Sequence, residues 1–246
     1  MEEKSINDLR CKADQGDVVA QRELGIFYYF GEVVGKDLME SVKWIERAAK
    51  KGDAKAQSWL AGFFSDGEGV SKDMKASAMW ARKAAEQGHP QAQYNLAVAY
   101  DNGEGVSEDK QEAFKWYTKA AEQGDPDAQA ELGQCYEYGD GVPKDMQKAV
   151  TWYKKAADQK NALGQYKTGW CYEFGIEVDE DRKEAVKWYK RSAAQGDRDA
   201  QYRLGIAWEY GMGIEKDKLQ AHKWYKKAAK QGHQEAQIAL DVLESD

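Results

Sequence analysis

The chain has only three prolines, three cysteines and three histidines in 246 residues. Each scarcity excludes something. With so few prolines, and with glycines that recur at fixed places, the composition is not that of a disordered or low-complexity chain. Cys11, Cys135 and Cys171 are odd in number and have no close pairing, so no disulfide framework is read from them. Cys135 and Cys171 stand at equivalent places on neighbouring helices, which pack about 8–10 Å apart. That lies beyond the roughly 7 Å Cα separation a disulfide bridges, so reduced thiols in a cytoplasmic protein are expected. His89, His222 and His233 are too dispersed for a zinc set, and neither metal nor cofactor is expected. No apolar run approaches the roughly 20 residues that span a bilayer, so no membrane insertion is expected. Met1-Glu2-Glu3-Lys4 shows neither a basic nor an apolar leader region. An excess of basic charge is also missing. The net charge of −7 argues against binding a nucleic-acid backbone.

What the chain has is a beat. Tryptophan recurs at Trp44, Trp80, Trp116, Trp152, Trp188 and Trp224, always 36 residues apart. Aspartate keeps the same period at Asp37, Asp73, Asp109, Asp145, Asp181 and Asp217. A fixed period of this length marks a stack of helical repeats. In the unit 123–158, Asp125-Pro126 opens a first helix as N-cap and first helical residue. Ala128, Leu132, Gly133 and Tyr136 then share one helical face. Tyr138-Gly139-Asp140-Gly141-Val142-Pro143 is the turn, and Asp145 caps a second helix. The expected buried face of that helix is Ala149, Trp152, Tyr153, Ala156 and Ala157.

The reading is therefore all-α: six helix pairs at 15–50, 51–86, 87–122, 123–158, 159–194 and 195–230. Single capping helices at 1–14 and 231–246 flank them. In the last, Asp241 and Glu244 replace residues that would otherwise be buried, as a wet outer face requires. The glycine pairs are turn glycines, because a dinucleotide fingerprint needs a strand and a third glycine. The phased aspartates are read as N-caps and the phased tryptophans as core. No nucleophile stands beside a base, so no enzyme is expected.

The pattern Ala-x3-Leu-Gly-x2-Tyr-x2-Gly-x-Gly-Val-x2-Asp-x3-Ala-x2-Trp-Tyr-x2-Ala-Ala resembles the Sel1-like repeat, a relative of the tetratricopeptide repeat. Residues 128–157 match it without a gap, and the resemblance covers essentially residues 15–240. It implies an α/α right-handed superhelical solenoid whose first helices line a concave side. It also implies an adaptor or scaffold role, with some relatives serving as immunity proteins against toxins. The per-repeat cysteine pairs of one secreted branch are missing here.

Because recurrence identifies the structural positions, function is sought where the units differ. Mapping tetratricopeptide geometry onto this unit gives three concave columns: Arg22, Ser58, Tyr94, Ala130, Tyr166, Tyr202; Ile26, Gly62, Val98, Gln134, Trp170, Ile206; and Tyr29, Ser65, Asp101, Glu137, Glu173, Glu209. The candidate groove residues are Tyr94, Val98, Asp101, Gln134, Glu137, Tyr166, Trp170, Glu173, Tyr202, Ile206 and Glu209. They read as an exposed aromatic floor beside an acidic wall. Such a groove suits a protein or peptide partner with basic and bulky apolar side chains, bound by a monomer. The alternative is an inhibitor or immunity protein that neutralises a basic toxin. The fifth unit drifts most, with Lys160-Asn161 for Gly-Asp, Gly164 for alanine, Thr168 for leucine and Glu177 for the second turn glycine. Tolerated drift is the expected reading, with curvature perturbed where Trp170 projects as the alternative.

Overall fold

A computed structural model describes residues 2–31 and 35–245. Met1, residues 32–34 and Asp246, which fall in the expected first cap, first repeat and last cap, lie outside the described residues. The described residues form fourteen α-helices and no strand. None of these helices is long and apolar enough to cross a membrane. The chain divides into two compact units, Met1–Asp125 and Pro126–Asp246. The first holds α1 (Glu2–Asp14), α2 (Val18–Phe30), α3 (Leu38–Lys50), α4 (Ala54–Asp66), α5 (Met74–Glu86), α6 (Pro90–Asn102) and α7 (Lys110–Glu122). The second holds α8 (Pro126–Tyr138), α9 (Met146–Asp158), α10 (Ala162–Phe174), α11 (Arg182–Ala194), α12 (Arg198–Tyr210), α13 (Lys218–Lys230) and α14 (Gln234–Ser245). Within each unit, every helix packs on the one before it and the one after it in sequence.

The helix starts follow from capping chemistry. Asp37, Asp73, Asp109, Asp145, Asp181 and Asp217 each accept backbone N–H bonds from the first turn of a second helix. These bonds satisfy donors that the helix itself leaves unpaired. Asp17, Asp53, Asn161 and Asp197 do the same for first helices. His89 substitutes for an aspartate, its Nδ1 accepting from the Ala92 N–H. In the turns between paired helices, Gly69, Gly105 and Gly213 have φ near +70°. A Cβ on Gly105 or Gly213 would also press on the backbone of the preceding second helix, 2.8 Å from Lys75 N and Lys183 N respectively. Glycine therefore satisfies both the conformation and the close approach.

The packing inside each repeat departs from the sequence expectation in one respect. In the four repeats with a tyrosine after the phased tryptophan, that tyrosine is the deepest aromatic, not the tryptophan. Tyr153 and Tyr225 are 0 % and 1 % exposed, and Tyr117 and Tyr189 are 2 % exposed. Trp44 and Trp80 are buried, whereas Trp116, Trp152, Trp188 and Trp224 are half-buried. Each of the six carries a cation three residues on, from Arg47 to Lys227, 3.8 to 4.4 Å from its ring. One ring face is thus covered by a charged side chain rather than by core. Glycine on the first helix makes room for the tyrosine: a Cβ on Gly133 or Gly169 would lie 2.5 Å or 2.8 Å from the Tyr153 or Tyr189 ring. Gly205 faces Tyr225 in the same way.

Successive repeats are tied by glutamine. Gln57, Gln93, Gln165 and Gln201 are buried on first helices and donate to the carbonyls of Ala49, Ala85, Ala157 and Ala193, in the last turn of the preceding second helix. Their side-chain oxygens accept from Gln87, Gln123, Gln195 and Gln231, at the end of their own repeat's second helix. Gln159 donates to Gln129 likewise. The ladder lapses at its first rung. Lys51 stands where the donating glutamine would be and binds the Gly16 carbonyl instead. The Gln21 side-chain oxygen is left without a partner among the described residues.

The fifth repeat shows how drift is absorbed. Lys160 and Glu177 are the two non-glycine residues with positive φ, at 66° and 52°, among the described residues. Both stand where other repeats have glycine. Gly164 lets α10 close onto α9, since a Cβ there would meet the Ala156 Cβ at 2.6 Å. Thr168 replaces a core leucine at 0 % exposure, and its hydroxyl has no hydrogen-bond partner among the described residues. An unpaired buried hydroxyl is destabilising. Thr168→Val keeps the shape and removes that group, so urea unfolding should show a gain of about 1–2 kcal/mol. No gain would mean that the hydroxyl is hydrated.

Candidate functional site

The acidic column expected on the first helices is for the most part internally engaged. Glu137, Glu173 and Glu209 each accept a hydrogen bond from the deep tyrosine of their own repeat: Tyr153, Tyr189 and Tyr225. Burial first, and the neighbouring carboxylates second, push these three phenols far above the usual tyrosine range. Two of the carboxylates also hold a cation from the following repeat. Lys167 Nζ lies 2.8 Å from Glu137 Oε2, and Arg203 lies 3.5 Å from Glu173. Burial alone would lower the Lys167 pKa, but the bonds to Glu137 and Tyr138 outweigh it and raise it. Asp101 pairs with Lys110 at 3.0 Å. The wall read as free acid is therefore a set of buried or half-buried carboxylates with partners inside the fold.

The aromatic floor is likewise less exposed than expected. Tyr94, Tyr166, Trp170, Tyr202 and Ile206 are all half-buried. Tyr94, Tyr166 and Tyr202 pack 5.8 to 6.0 Å from the deep tyrosines of their own repeats, and Tyr202 also lies 4.4 Å from the His233 ring. Trp170 packs on Phe174 and takes Lys167 over its ring at 5.6 Å. Gln134 donates to Glu131. Ile206 lines a narrow crevice with Glu173 and Arg203. In the second unit these residues are joined chiefly to one another.

A cleft opens in the first unit around Gly62 on α4. The second unit has a separate one of about 540 Å³ beside Lys160, Trp188 and Arg191, away from the expected columns. Two cleft lobes share Gly62, Asp66 and Asn95. One lobe, of about 440 Å³, is walled by Tyr29, Ser58, Trp59 and Phe63, with Glu68, Lys55 and His89 at its edges. The other, of about 330 Å³, is walled by Ser65, Ser77, Ala81, Tyr94 and Val98, with Glu104 at its edge. Of the expected groove residues, Tyr94 and Val98 line this second lobe. Trp59, which the repeat pattern does not explain, belongs to an aromatic group with Tyr29 at 5.1 Å and Phe63 at 5.9 Å.

The sequence contains the cause of this hollow. Where four repeats place a tyrosine after the phased tryptophan, this one has Ala81. Where other repeats carry Ile26, Val98, Gln134, Trp170 or Ile206, this one has Gly62. Gly25, Gly133, Gly164, Gly169 and Gly205 are helical glycines whose missing Cβ is replaced by a neighbour within 3 Å. Gly62 has nothing within 4 Å. A glycine inside a helix costs roughly 0.5–1 kcal/mol relative to alanine, and here no packing within the chain requires it.

The described residues contain no group of three histidine, cysteine or acidic side chains that could hold a metal ion. Among curated proteins, none matches the sequence. The family model described as Sel1 repeat matches residues 18–53, 54–89, 90–125, 126–161, 162–197 and 198–233.

The chain belongs to the Sel1 repeat family.

Proteins of this family generally mediate protein–protein interaction. A protective antigen of uropathogenic Escherichia coli, c5321, is 38 % identical over 97 % of this chain with a TM-score of 0.85. The present chain covers 51 % of that protein, about half its length. A Sel1 repeat protein of Oxalobacter formigenes is 35 % identical, with a TM-score of 0.80 and coverage of 86 % of this chain and 85 % of its own. The Pseudomonas aeruginosa immunity protein Pa5087 is 23 % identical over 87 % of this chain and 81 % of its own, with a TM-score of 0.53. That level of likeness concerns the fold alone.

Two solution measurements check this geometry. Burial first, and the nearby Lys55 second, hold the His89 imidazole below its usual pKa, with Asp53 opposing. A base whose pKa is lower folded than unfolded adds stability that is complete above the unfolded value, about 6.5. That stability is lost as pH falls through the folded value. Acidification from about pH 7 to pH 5 should therefore cost the wild type more stability than His89→Asn, which caps without titrating. Parallel losses would show that another group titrates. Cysteine reactivity tests burial in the second unit. Cys11 is exposed, while Cys135 and Cys171 are buried. Burial, with Glu137 adding to it, pushes the Cys171 thiol up to about 12. Because the thiolate is the reactive form, a disulfide dye should titrate one thiol in the native protein and all three in denaturant.

Proposed function

We propose that this chain is a non-catalytic interaction module that docks a partner protein at the hollow of its second and third repeats, on α4, α5 and α6. The carrying observation is Gly62, a helical glycine facing open space where other repeats place larger side chains. Glycine in such a place admits close approach by another molecule. The aromatic wall of Tyr29, Trp59 and Phe63 supplies the kind of anchor surface on which interface energy concentrates. In the second unit, the residues Glu137, Tyr166, Trp170, Glu173 and Tyr202 serve as a polar-aromatic scaffold, and any contact they make is secondary. The alternative of an inhibitor for a basic toxin rested on a free acidic wall. With Glu137 and Glu173 already neutralised internally, it is the weaker reading.

The test is quantitative affinity capture from native lysate with three baits: wild type, Gly62→Leu and Tyr210→Ala. Leucine at position 62 projects into the hollow, and its Cβ meets no atom within 4 Å. Tyr210 is 65 % exposed and lies in the other unit. A partner held by wild type and Tyr210→Ala but depleted at least about tenfold by Gly62→Leu, a change of roughly 1.4 kcal/mol, is the expected result. Equal recovery by Gly62→Leu would remove the hollow as the docking place.

A further inference from the structure

The second unit contains an internal template for what the hollow binds. Between the fourth and fifth repeats, Lys167 sits against Glu137 and within 5.2 to 5.7 Å of the Tyr138, Tyr153 and Trp170 rings. Between the fifth and sixth, Arg203 occupies the same register against Glu173, 5.3 Å from the Phe174 ring. The chain thus twice inserts a cation from one repeat into an acidic and aromatic seat on the repeat before it. Both cations are buried or half-buried, and carboxylate pairing and aromatic faces together offset their desolvation.

The equivalent register between the second and third repeats holds no cation. Seventy-two residues before Lys167 stands Asn95, and seventy-two before Tyr153 stands Ala81. Glu137 corresponds to Ser65, and Tyr138 to Asp66. Cation and deep ring are both missing, and the cleft opens at this place, shared by Asp66 and Asn95. Its charge remains. Asp66, Glu68 and Glu104 form no ion pair among the described residues. Glu68 instead raises the Tyr29 pKa, first through a side-chain hydrogen bond and then through burial and charge. Among the residues that line the cleft, the opposing charges are at the other end. Lys55 lies in the first turn of α4 while Asp66 ends it, about 16 Å away at the rise of an α-helix, and His89 caps α6 beside Lys55's end. Lys36 already stands over the Tyr29 ring at 5.4 Å, so this aromatic group attracts a positive charge.

We infer that the hollow is a seat for an arginine side chain carried by the partner, received at the register where the chain elsewhere supplies Lys167 and Arg203. The inference rests on the docking reading above and names its chemistry. The planar guanidinium can meet Asp66, which both lobes share, through paired N–H donors while its face lies on Tyr29 or Trp59.

The test uses the full ¹⁵N-labelled chain and three probes: N-acetylarginine N-methylamide, its citrulline counterpart, and agmatine. Citrulline keeps shape and hydrogen bonding but lacks the charge. Amide shifts at Gly62, Asp66 and Asn95 should report arginine-amide binding at least about tenfold tighter than citrulline. Asp66→Asn should weaken it, and Asn95→Lys, which lets the chain fill its own seat, should abolish it. Equal binding of arginine and citrulline probes, or shifts confined to the second unit, would overturn the inference. Agmatine binding more than tenfold tighter than the arginine amide would overturn the partner-borne source in favour of a free small cation. If a captured partner is lost on Gly62→Leu yet retained by both Asp66→Asn and Asn95→Lys, the docking place stands and the cation assignment falls.

Discussion

Four of the repeats are organised by one contact, a side chain on the second helix set into a gap on the first. The gap is a glycine at positions 25, 133, 169 and 205, and the inserted side chain is Ile45, Tyr153, Tyr189 or Tyr225. This contact fixes how closely the paired helices approach. It also fixes where the tyrosine hydroxyl emerges, and that point is occupied by Glu137, Glu173 or Glu209. A carboxylate so placed also faces the next repeat, where Lys167 donates to both oxygens of Glu137 and Arg203 meets the remaining oxygen of Glu173. Core packing, the acidic column and the inter-repeat ion pairs are therefore one dependent series. Loss of the ring leaves a hollow and also removes the hydroxyl that would engage an acid at that register. Ala81 is that loss, and its repeat has Ser65 in place of the glutamate.

Much of this was legible in the sequence because it is periodic. The aspartate caps, the turn glycines and the fourteen helices follow from spacing and backbone chemistry. The His89 cap was legible as well, since it replaces an aspartate at a phased position. The tryptophans were read as deeper than they are, because apolarity alone does not register the cation three residues later that covers the ring. That cation is itself phased, from Arg47 to Lys227, and was the available signal. The glutamine ladder was missed for a related reason. A polar residue on an apolar face reads as noise until its recurrence at Gln57, Gln93, Gln129, Gln165 and Gln201 is set beside buried backbone carbonyls that need a donor.

The candidate site was the least legible part. The columns were drawn correctly enough to contain Ser58, Gly62 and Ser65, but large aromatic and acidic residues were taken as the signal. In a repeat stack such residues are often internal, because each one has a neighbour at the same register in the next unit to pack against. Gly62 and Gly133 are the same letter in the sequence. What separates them is register: Gly133 corresponds to Ala61, opposite the inserted ring, whereas Gly62 corresponds to Gln134, one place on, and Ala81 leaves the neighbouring ring position empty. A hollow made by omission is visible only when two positions are compared together across repeats.

A stack of this kind also explains how such an omission is tolerated. Stability in repeat proteins is approximately a sum of local and nearest-neighbour terms, so a repeat that lacks its ring loses its own contact and weakens its immediate interfaces without loosening distant ones. The second repeat keeps its glutamine bonds through Gln57 and Gln87, its aspartate caps and its buried Leu60 and Phe63. Those elements hold the helices in register around an unfilled centre. The destabilising glycine and the missing tyrosine can then persist together, because the repeats on either side keep their own buried side chains at that position, Ile45 and Tyr117. A globular core of the same size would spread the loss over many contacts. Here it stays within one repeat, and that repeat is left free to differ.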